Sequence, residues 1–457
     1  MARLWTGRNV GWRLMDGAGP AKGPGHHDSH GVEMGRDARN GAGDAEPGSP
    51  DVPPGTPDVM AVPQGSYRLR RFPDPGERSP LRAWDAADEY LLRHAADDEG
   101  LQGLLGGGSR VLVVNDAFGA LALALADRLS VTSWSDGVDA FLGLRANAVL
   151  NGMDAGAVEE IPSIRPPVGP FVLVLLKIPK GGDLLEHQLR VLRTVLEPGT
   201  PVLAAGMSRH MGRHSTALFE RLVGPAQTSR AWKKARLILA SLDPGLDPGP
   251  SPFPRVFSVE GALLGGSLRG PGLEAVSHAG VFSGRRVDPG TRSLLEAMPD
   301  PLEDTRIADL GCGSGILGVA AAARNDRADV CFTDRSYLAV ESARENFSRA
   351  FGPGRTGRFL PALGLDGVER GWADLVLNNP PFHDRHAVGD AIAWGMFHEA
   401  RRVLRAGGAL VVVGNRHLGY HAKLKRIFGN CDAVASDRTF VVLRAVREGG
   451  SSHAHKP

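Results

Sequence analysis

RIADLGCGSGILGVAA, residues 306–321, reads as a buried strand, a glycine-rich turn and an alanine-rich helix. That order opens a doubly wound α/β sheet, in which ligands sit outside the carboxyl ends of parallel strands. The same order occurs upstream in RVLVVNDAFGALALAL, 110–125. Three further stretches recur alongside it. VTSWSDGVDAFLGLRANAVL (131–150) parallels VCFTDRSYLAVESARENF (330–347), FVLVLLKIPK (171–180) parallels ADLVLNNPPF (373–382), and 191–224 parallels 399–430. Four segments repeated in one order indicate an internal duplication. The expected fold is α/β, with two tandem doubly wound, Rossmann-like domains of about 180 residues each.

The copies differ where chemistry would sit. In the rear copy Gly311, Gly313 and Gly315 alternate strictly, and Asp309 stands two residues ahead of them. Asp334 ends the next strand, where a carboxylate accepts hydrogen bonds from ribose hydroxyls. A dinucleotide loop would space its glycines Gly-x-Gly-x-x-Gly. Strict alternation is the arrangement used for S-adenosylmethionine; a dinucleotide site and a purely structural turn are the other readings of this loop alone.

Asn379-Pro380-Pro381-Phe382 follows a strand of the same sheet. The prolines supply no N–H, and Pro380 holds Asn379 out of the helical region. The stiff loop presents one amide, two carbonyls and one aromatic ring. That set suits an exocyclic amine on a planar base. The Asn379 oxygen and the Pro380 carbonyl each accept one amine hydrogen, which turns the lone pair toward an electrophile, and Phe382 stacks on the base. The plain structural alternative is a strand ended by prolines. Together with the glycine loop, these four residues point to S-adenosylmethionine.

In the front copy Val113 stands for Asp309, Asn115-Asp116-Ala117-Phe118-Gly119 replaces the glycine loop, and Lys177-Ile178-Pro179-Lys180 replaces Asn-Pro-Pro-Phe. The bulk of Phe118 and the loss of two glycines predict a catalytically silent domain. Lys177, Lys180 and Trp232-Lys233-Lys234 offer charge to phosphates, or form an ordinary solvated surface.

The chain has 457 residues, with 53 Lys and Arg against 51 Asp and Glu, so its net charge of +2 does not by itself announce nucleic acid. Three cysteines, Cys312, Cys331 and Cys431, have neither metal-ligand spacing nor the even count of a disulfide framework. No metal is expected, and a reducing cytoplasmic setting is. No apolar run approaches the roughly 18 residues that span a bilayer, and no signal-peptide core opens the chain. Residues 1–65, rich in Gly, Pro, His and Asp, predict a disordered tail. The expected boundaries are 66–242 for the front domain, 243–255 for a Pro/Gly linker, 256–447 for the rear domain and 448–457 for a tail. Residues 81–94 predict an amphipathic helix, and a further helix is expected from about residue 293.

With these motifs the chain resembles the bacterial ribosomal RNA guanine-N2 methyltransferases that carry two tandem methyltransferase-like domains. It is most similar to the large-subunit branch, with the small-subunit branch close behind. LRAWDAADEYLL (81–92), KIPK (177–180), HAGVFSGRRVDPGTRSLLEAMP (278–299), DLGCGSGILG (309–318), NNPPFH (378–383) and GNRHLGYHAKLKRIFG (414–429) carry the resemblance, which spans about 66–447. It implies that the rear domain binds S-adenosylmethionine and methylates a guanine amine of ribosomal RNA, while the front domain has lost the cofactor and grips RNA. Carried over, Asp309, Gly311, Gly313, Gly315 and Asp334 hold the cofactor, and Asn379, Pro380, Pro381 and Phe382 hold the amine. Phe282 and Ser283 lie over the cofactor or target, and Arg416, His417 and His421 lie near the substrate, unless the last three are simply turn residues. One departure is Pro361-Ala362, where an Asn or Asp contacting adenine would be expected. Another amine acceptor (an adenine N6 or a protein glutamine) and a non-catalytic RNA-binding assembly factor are the alternatives. A fused duplicate needs no partner copy, so a monomer without membrane contact is expected.

Overall fold

The structure, a computed structural model, describes residues 58–73, 81–209, 211–303, 305–381 and 386–449. Residues 1–57, Phe382 and 450–457 lie outside the described residues.

Each half begins with a short hairpin that the strand-and-helix repeat did not reveal. β1 (Asp58–Val62) pairs antiparallel with β2 (Gly65–Leu69), burying Met60, Tyr67 and Leu69 on one side. β1 begins at Asp58, so 58–65 belong to a hairpin and not to the disordered tail expected over 1–65. The strands alternate as a half-buried pair should, but each buries too few side chains to stand out from its Pro/Gly surroundings. Helix α1 (Ala86–Asp97) starts later than the predicted residue 81, because Asp85 accepts from Ala87 N and Asp88 returns a bond to the Asp85 N–H. A single turn α2 (Glu99–Gln102) follows.

The front sheet is then built from β3 (Arg110–Val114), α3 (Ala120–Ala126), β4 (Ser130–Ser135), α4 (Val138–Leu150), β5 (Val158–Pro162), β6 (Leu173–Lys177), α5 (Gly182–Val195), β7 (Pro201–Met207), α6 (Arg213–Leu222), β8 (Ala226–Thr228) and β9 (Ala235–Ser241). Its seven strands run β5-β4-β3-β6-β7-β9-β8. Apolar clusters on both faces explain why strands such as VLVV and LVLL read as continuous hydrophobic runs.

The rear half repeats the plan. β10 (Arg255–Val259) and β11 (Leu273–Ser277) form its hairpin around the turn α7 (Gly261–Leu264). α8 (Pro289–Ala297), β12 (Arg306–Leu310), α9 (Ile316–Arg324), β13 (Asp329–Asp334), α10 (Tyr337–Phe351), β14 (Arg358–Pro361), β15 (Ala373–Asn378), α11 (His386–Val403), β16 (Leu404–Asn415), α12 (Tyr420–Phe428), β17 (Asp432–Ser436) and β18 (Phe440–Val446) follow. The strand order is β14-β13-β12-β15-β16-β18-β17, the front order repeated. Helix α8 opens at Pro289, not 293, with Asp288 as its N-cap. Asp-Pro-Gly reads as a turn, yet an Asp cap followed by Pro also starts a helix.

Register fixes which residues correspond. Val111 pairs with Leu173 and Val131 in front, as Ile307 pairs with Leu375 and Val330 behind. Val113 therefore matches Asp309, Asn115 matches Gly311, and Lys177 matches Asn379.

The segment between the halves is strapped to α5. Arg190 donates to the carbonyls of Pro248 and Gly249, and Arg193 to those of Leu222, Asp243 and Leu246. The halves also meet through equivalent turns. Val138 N donates to Arg335 O at 2.9 Å and Tyr337 N to Asp136 O at 2.9 Å. The Asp136 carboxylate accepts from Ser336 Oγ at 2.6 Å and from Leu338 N at 3.0 Å. Among the described residues no helix is long and apolar enough to cross a membrane.

Candidate active site

The glycine loop joins β12 to α9 at the carboxyl end of the sheet. Two of its glycines are required for different reasons. Gly315 sits at φ 77°, and a Cβ there would lie 2.6 Å from the Ala343 Cβ, so only glycine lets the loop close onto α10. Gly313 sits at φ 53°, and among the described residues a Cβ there would meet nothing beyond its chain neighbours within 4 Å: its face looks into open space. Gly311 N and Cys312 N donate to Thr333 O at 2.8 and 2.9 Å. Gly313 N donates to Asp334 Oδ2 at 3.0 Å, while Asp334 Oδ1 accepts from Ser336 N at 2.9 Å. The loop thus holds Asp334 at the edge of that space.

Asp309 lies beneath, 1% exposed, and accepts from Gly318 N at 2.8 Å. Burial, reinforced by the Asp334 charge, pushes its carboxyl up to about 8. Burial also raises Asp334. Two acids disfavoured as anions, next to an open face of backbone, fit a ligand that brings positive charge and hydroxyl donors.

On the other side of β12, β15 delivers the second group, since Leu310 pairs with Asn378. Asn378 donates to Leu310 O at 2.7 Å and ties the two strand ends together. Asn379 follows. Its Nδ2 donates to Asp288 Oδ2 at 3.2 Å and to Thr291 Oγ1 at 2.9 Å. Its Oδ1 is buried and has no hydrogen-bond partner among the described residues. Pro380 is buried behind it and Pro381 is exposed.

Asp309, Gly311, Gly313, Gly315, Asp334, Asn379, Pro380 and Pro381 are thus gathered at the carboxyl ends of adjacent strands. The remaining predicted residues are on exposed turns. Phe282 is 51% exposed on the turn after β11, where Ser283 adopts φ 57° and donates from Oγ to Arg286 O at 2.6 Å. Arg416 and His417 are exposed on a short 3-10 turn beyond β16, with Arg416 donating to the carbonyls of Thr439 and Asp437. Pro361, the departure noted in the sequence, pairs with Asp334, and Ala362 N donates to Asp334 O at 2.8 Å. The Ala362 N–H is therefore spent inside the sheet. Sequence reasoning missed Asp288 and Thr291; the signal was DPGT, a cap motif read only as a turn.

The front half shows what the same scaffold becomes without two of the three glycines. Lys177, at the Asn379 position, bonds Asp85 at 2.7 Å and Asp88 at 2.8 Å. Its charge is neutralised internally, so it is not the phosphate anchor that the sequence offered. Lys233 likewise pairs with Glu89 at 2.9 Å and covers the Trp232 ring. Asn115, at the Gly311 position, exchanges amide hydrogen bonds with Gln188 at 2.8 and 2.7 Å. Phe118, expected to block the cleft, packs instead into the front core, beneath the Arg71 guanidinium and against α4 at Gly143. The Asn115–Gln188 pair stands where Gly311 stands in the rear copy.

Two family models match the chain: the RLMG N-terminal domain over residues 58–244 and the methyltransferase small domain over 272–444. A ribosomal RNA large subunit methyltransferase G from Pseudomonas paraeruginosa is 46% identical over 387 residues, covering 85% of this chain and 99% of that protein. The protein of the same name from Ectopseudomonas mendocina is 45% identical over 388 residues, with the same coverage of both chains. Among solved structures, the T. thermophilus 16S rRNA N2 methyltransferase RsmC, in complex with AdoMet and guanosine, superposes with a TM-score of 0.64 at 22% identity, covering 86% of this chain and 98% of that one. At that identity the likeness establishes the shared fold.

Proposed function

Because the chain belongs to the ribosomal RNA large subunit methyltransferase G family, we propose that it transfers a methyl group from S-adenosylmethionine to the exocyclic N2 amine of a guanine in large-subunit ribosomal RNA. The rear domain performs the transfer and the front domain helps grip the RNA.

One observation carries the reading: the buried Asn379 Oδ1 has no partner among the described residues. A buried acceptor left unpaired costs about 1–3 kcal/mol. A guanine N2 hydrogen satisfies it, and the Pro380 carbonyl takes the other. Held by both, the amine turns its lone pair out of the ring plane, and positioning replaces a general base. The cofactor supplies an electrophilic methyl group on a positively charged sulfur that leaves readily. Gly311, Gly313 and Gly315 give it backbone to lie against, Asp334 accepts from its ribose hydroxyls, and Asp309 lies beneath, holding the start of α9 through Gly318 N. Phe282, Arg416 and His417 contact the substrate. A paired target has to be turned out of its stack to reach Asn379. Arg286 lines a recess of about 400 Å³ beside Pro289 and offers charge to flanking phosphates, while Arg292 in the same recess pairs with Glu260 at 3.7 Å. The enzyme acts in the cytoplasm as a single chain, whose front half already fills the place of a second copy.

The test is a deletion strain complemented with wild type or with Asn379→Ala. Nucleoside digests of large-subunit RNA lose one N2-methylguanosine on deletion and regain it only with wild type, while purified Asn379→Ala still binds S-adenosylmethionine in a calorimeter. Full N2-methylguanosine with the variant refutes the assignment. Loss of N6-methyladenosine instead identifies a different acceptor.

A further inference from the structure

We infer that Asp288 and Thr291, at the start of α8, are positioning residues that lock the Asn379 amide in the one orientation that offers oxygen to the substrate amine. The inference rests on the role proposed for Asn379.

An amide can be turned over, exchanging donor for acceptor, at almost no steric cost. Something must choose. Asn379 Nδ2 faces two acceptors, Asp288 Oδ2 at 3.2 Å and Thr291 Oγ1 at 2.9 Å. A carboxylate can only accept. Turned over, the amide would press its oxygen against that carboxylate and present N–H groups to the substrate, whose amine also brings N–H groups. Asp288 therefore excludes the unproductive state rather than merely adding a contact.

Asp288 is itself held. Its side chain accepts from Thr291 N at 3.1 Å, capping α8. Gly290 lies between the two residues, and a Cβ there would come within 3.4 Å of Asn379 Oδ1. The absence of a side chain keeps the approach to that oxygen clear.

The front half supplies an internal comparison. Asp85 caps α1 as Asp288 caps α8, and Asp88 stands three residues on, as Thr291 does. The side chain at the Asn379 position is Lys177, and it bonds both acids. In each copy the helix start dictates the group that follows the strand. Two acids take a cation, whereas one acid and one hydroxyl take an amide.

Asp288 also acts through Asn379 during the reaction. The N2–carbon bond forms as the sulfur–carbon bond breaks, the bonding pair stays with sulfur, and positive charge passes to N2 until its proton leaves to solvent. A negative charge behind Nδ2 polarises the amide and strengthens Oδ1 as acceptor while that charge grows.

The experiment compares full-length Thr291→Val, Thr291→Ser, Asp288→Asn and Asn379→Ala in methyl transfer to ribosomal RNA from the deletion strain. Asp288→Asn keeps the helix cap, since Asn caps as well as Asp. Expected are a kcat lowered about tenfold by Thr291→Val and about tenfold by Asp288→Asn, whose amide oxygen still caps α8 and accepts from Asn379 but no longer carries the negative charge behind it, near-normal kcat in Thr291→Ser, and unchanged KM for RNA, S-adenosylmethionine affinity and melting temperature. Wild-type kcat in both Thr291→Val and Asp288→Asn, with Asn379→Ala dead, overturns the inference alone. Losses shared equally by kcat, cofactor affinity and melting temperature also overturn it, by showing a merely structural role. Wild-type turnover in Asn379→Ala overturns the underlying reading instead.

Discussion

Replacing Gly313 with alanine separates binding from folding, because the added methyl group touches the protein nowhere. The backbone there has φ 53°, so a Cβ brings only the left-handed penalty, about 1–2 kcal/mol. Among the described residues no atom beyond its chain neighbours lies within 4 Å of the new carbon, so packing adds little. Gly315→Ala is the contrast. It meets the same backbone penalty at φ 77°, and its Cβ falls 2.6 Å from the Ala343 Cβ and 2.8 Å from the Ala343 Cα. Overpacking of that kind costs about 1–3 kcal/mol more. Denaturant melts should therefore rank wild type above Gly313→Ala and Gly313→Ala above Gly315→Ala. Titration calorimetry with S-adenosylmethionine should show Gly313→Ala weakened at least tenfold, or about 1.4 kcal/mol, at a temperature where the variant is fully folded. A folded Gly313→Ala that binds within twofold of wild type refutes the idea that the space beside Gly313 belongs to the cofactor.

Asp309 makes stability depend on pH. Its folded carboxyl titrates near 8 against 3.8 for an ordinary aspartate, so between those values the folded chain holds the extra proton and stability falls as pH rises. Asp309→Asn should flatten that fall, checked by melts at pH 5, 6.5 and 8; equal slopes count against a buried acid. Asp136→Ala removes the acceptor shared by Ser336 Oγ and Leu338 N, which costs about 1–3 kcal/mol. Since that turn carries Asp334, cofactor affinity should fall roughly tenfold, and unchanged affinity would show that the front half does not steady the ribose side.

The sheets were legible because their strands are buried on both faces and read as unbroken apolar runs. The duplication was legible because strand, turn and helix recur in one order. Of hairpins β1–β2 and β10–β11, only part of β2 showed, in the alternating run YRLRRF from Tyr67, since a five-residue strand half exposed carries little periodicity. The glycine loop and Asn379 announced themselves as local motifs. Their support did not. Asp288 precedes Asn379 by 91 residues, and Asp85 precedes Lys177 by 92. A lysine whose partners lie that far away looks, in sequence, like any surface cation.

Gly137 and Ser336 occupy the same position in the two copies and face each other in an antiparallel bridge. Such a self-matching contact is what identical subunits make across a two-fold axis. There a residue beside the axis meets its own twin, and like charges confront each other. Joining the subunits in one gene lifts that restriction: Asp136 and Arg335 are twins by register, yet one is an anion and the other a cation.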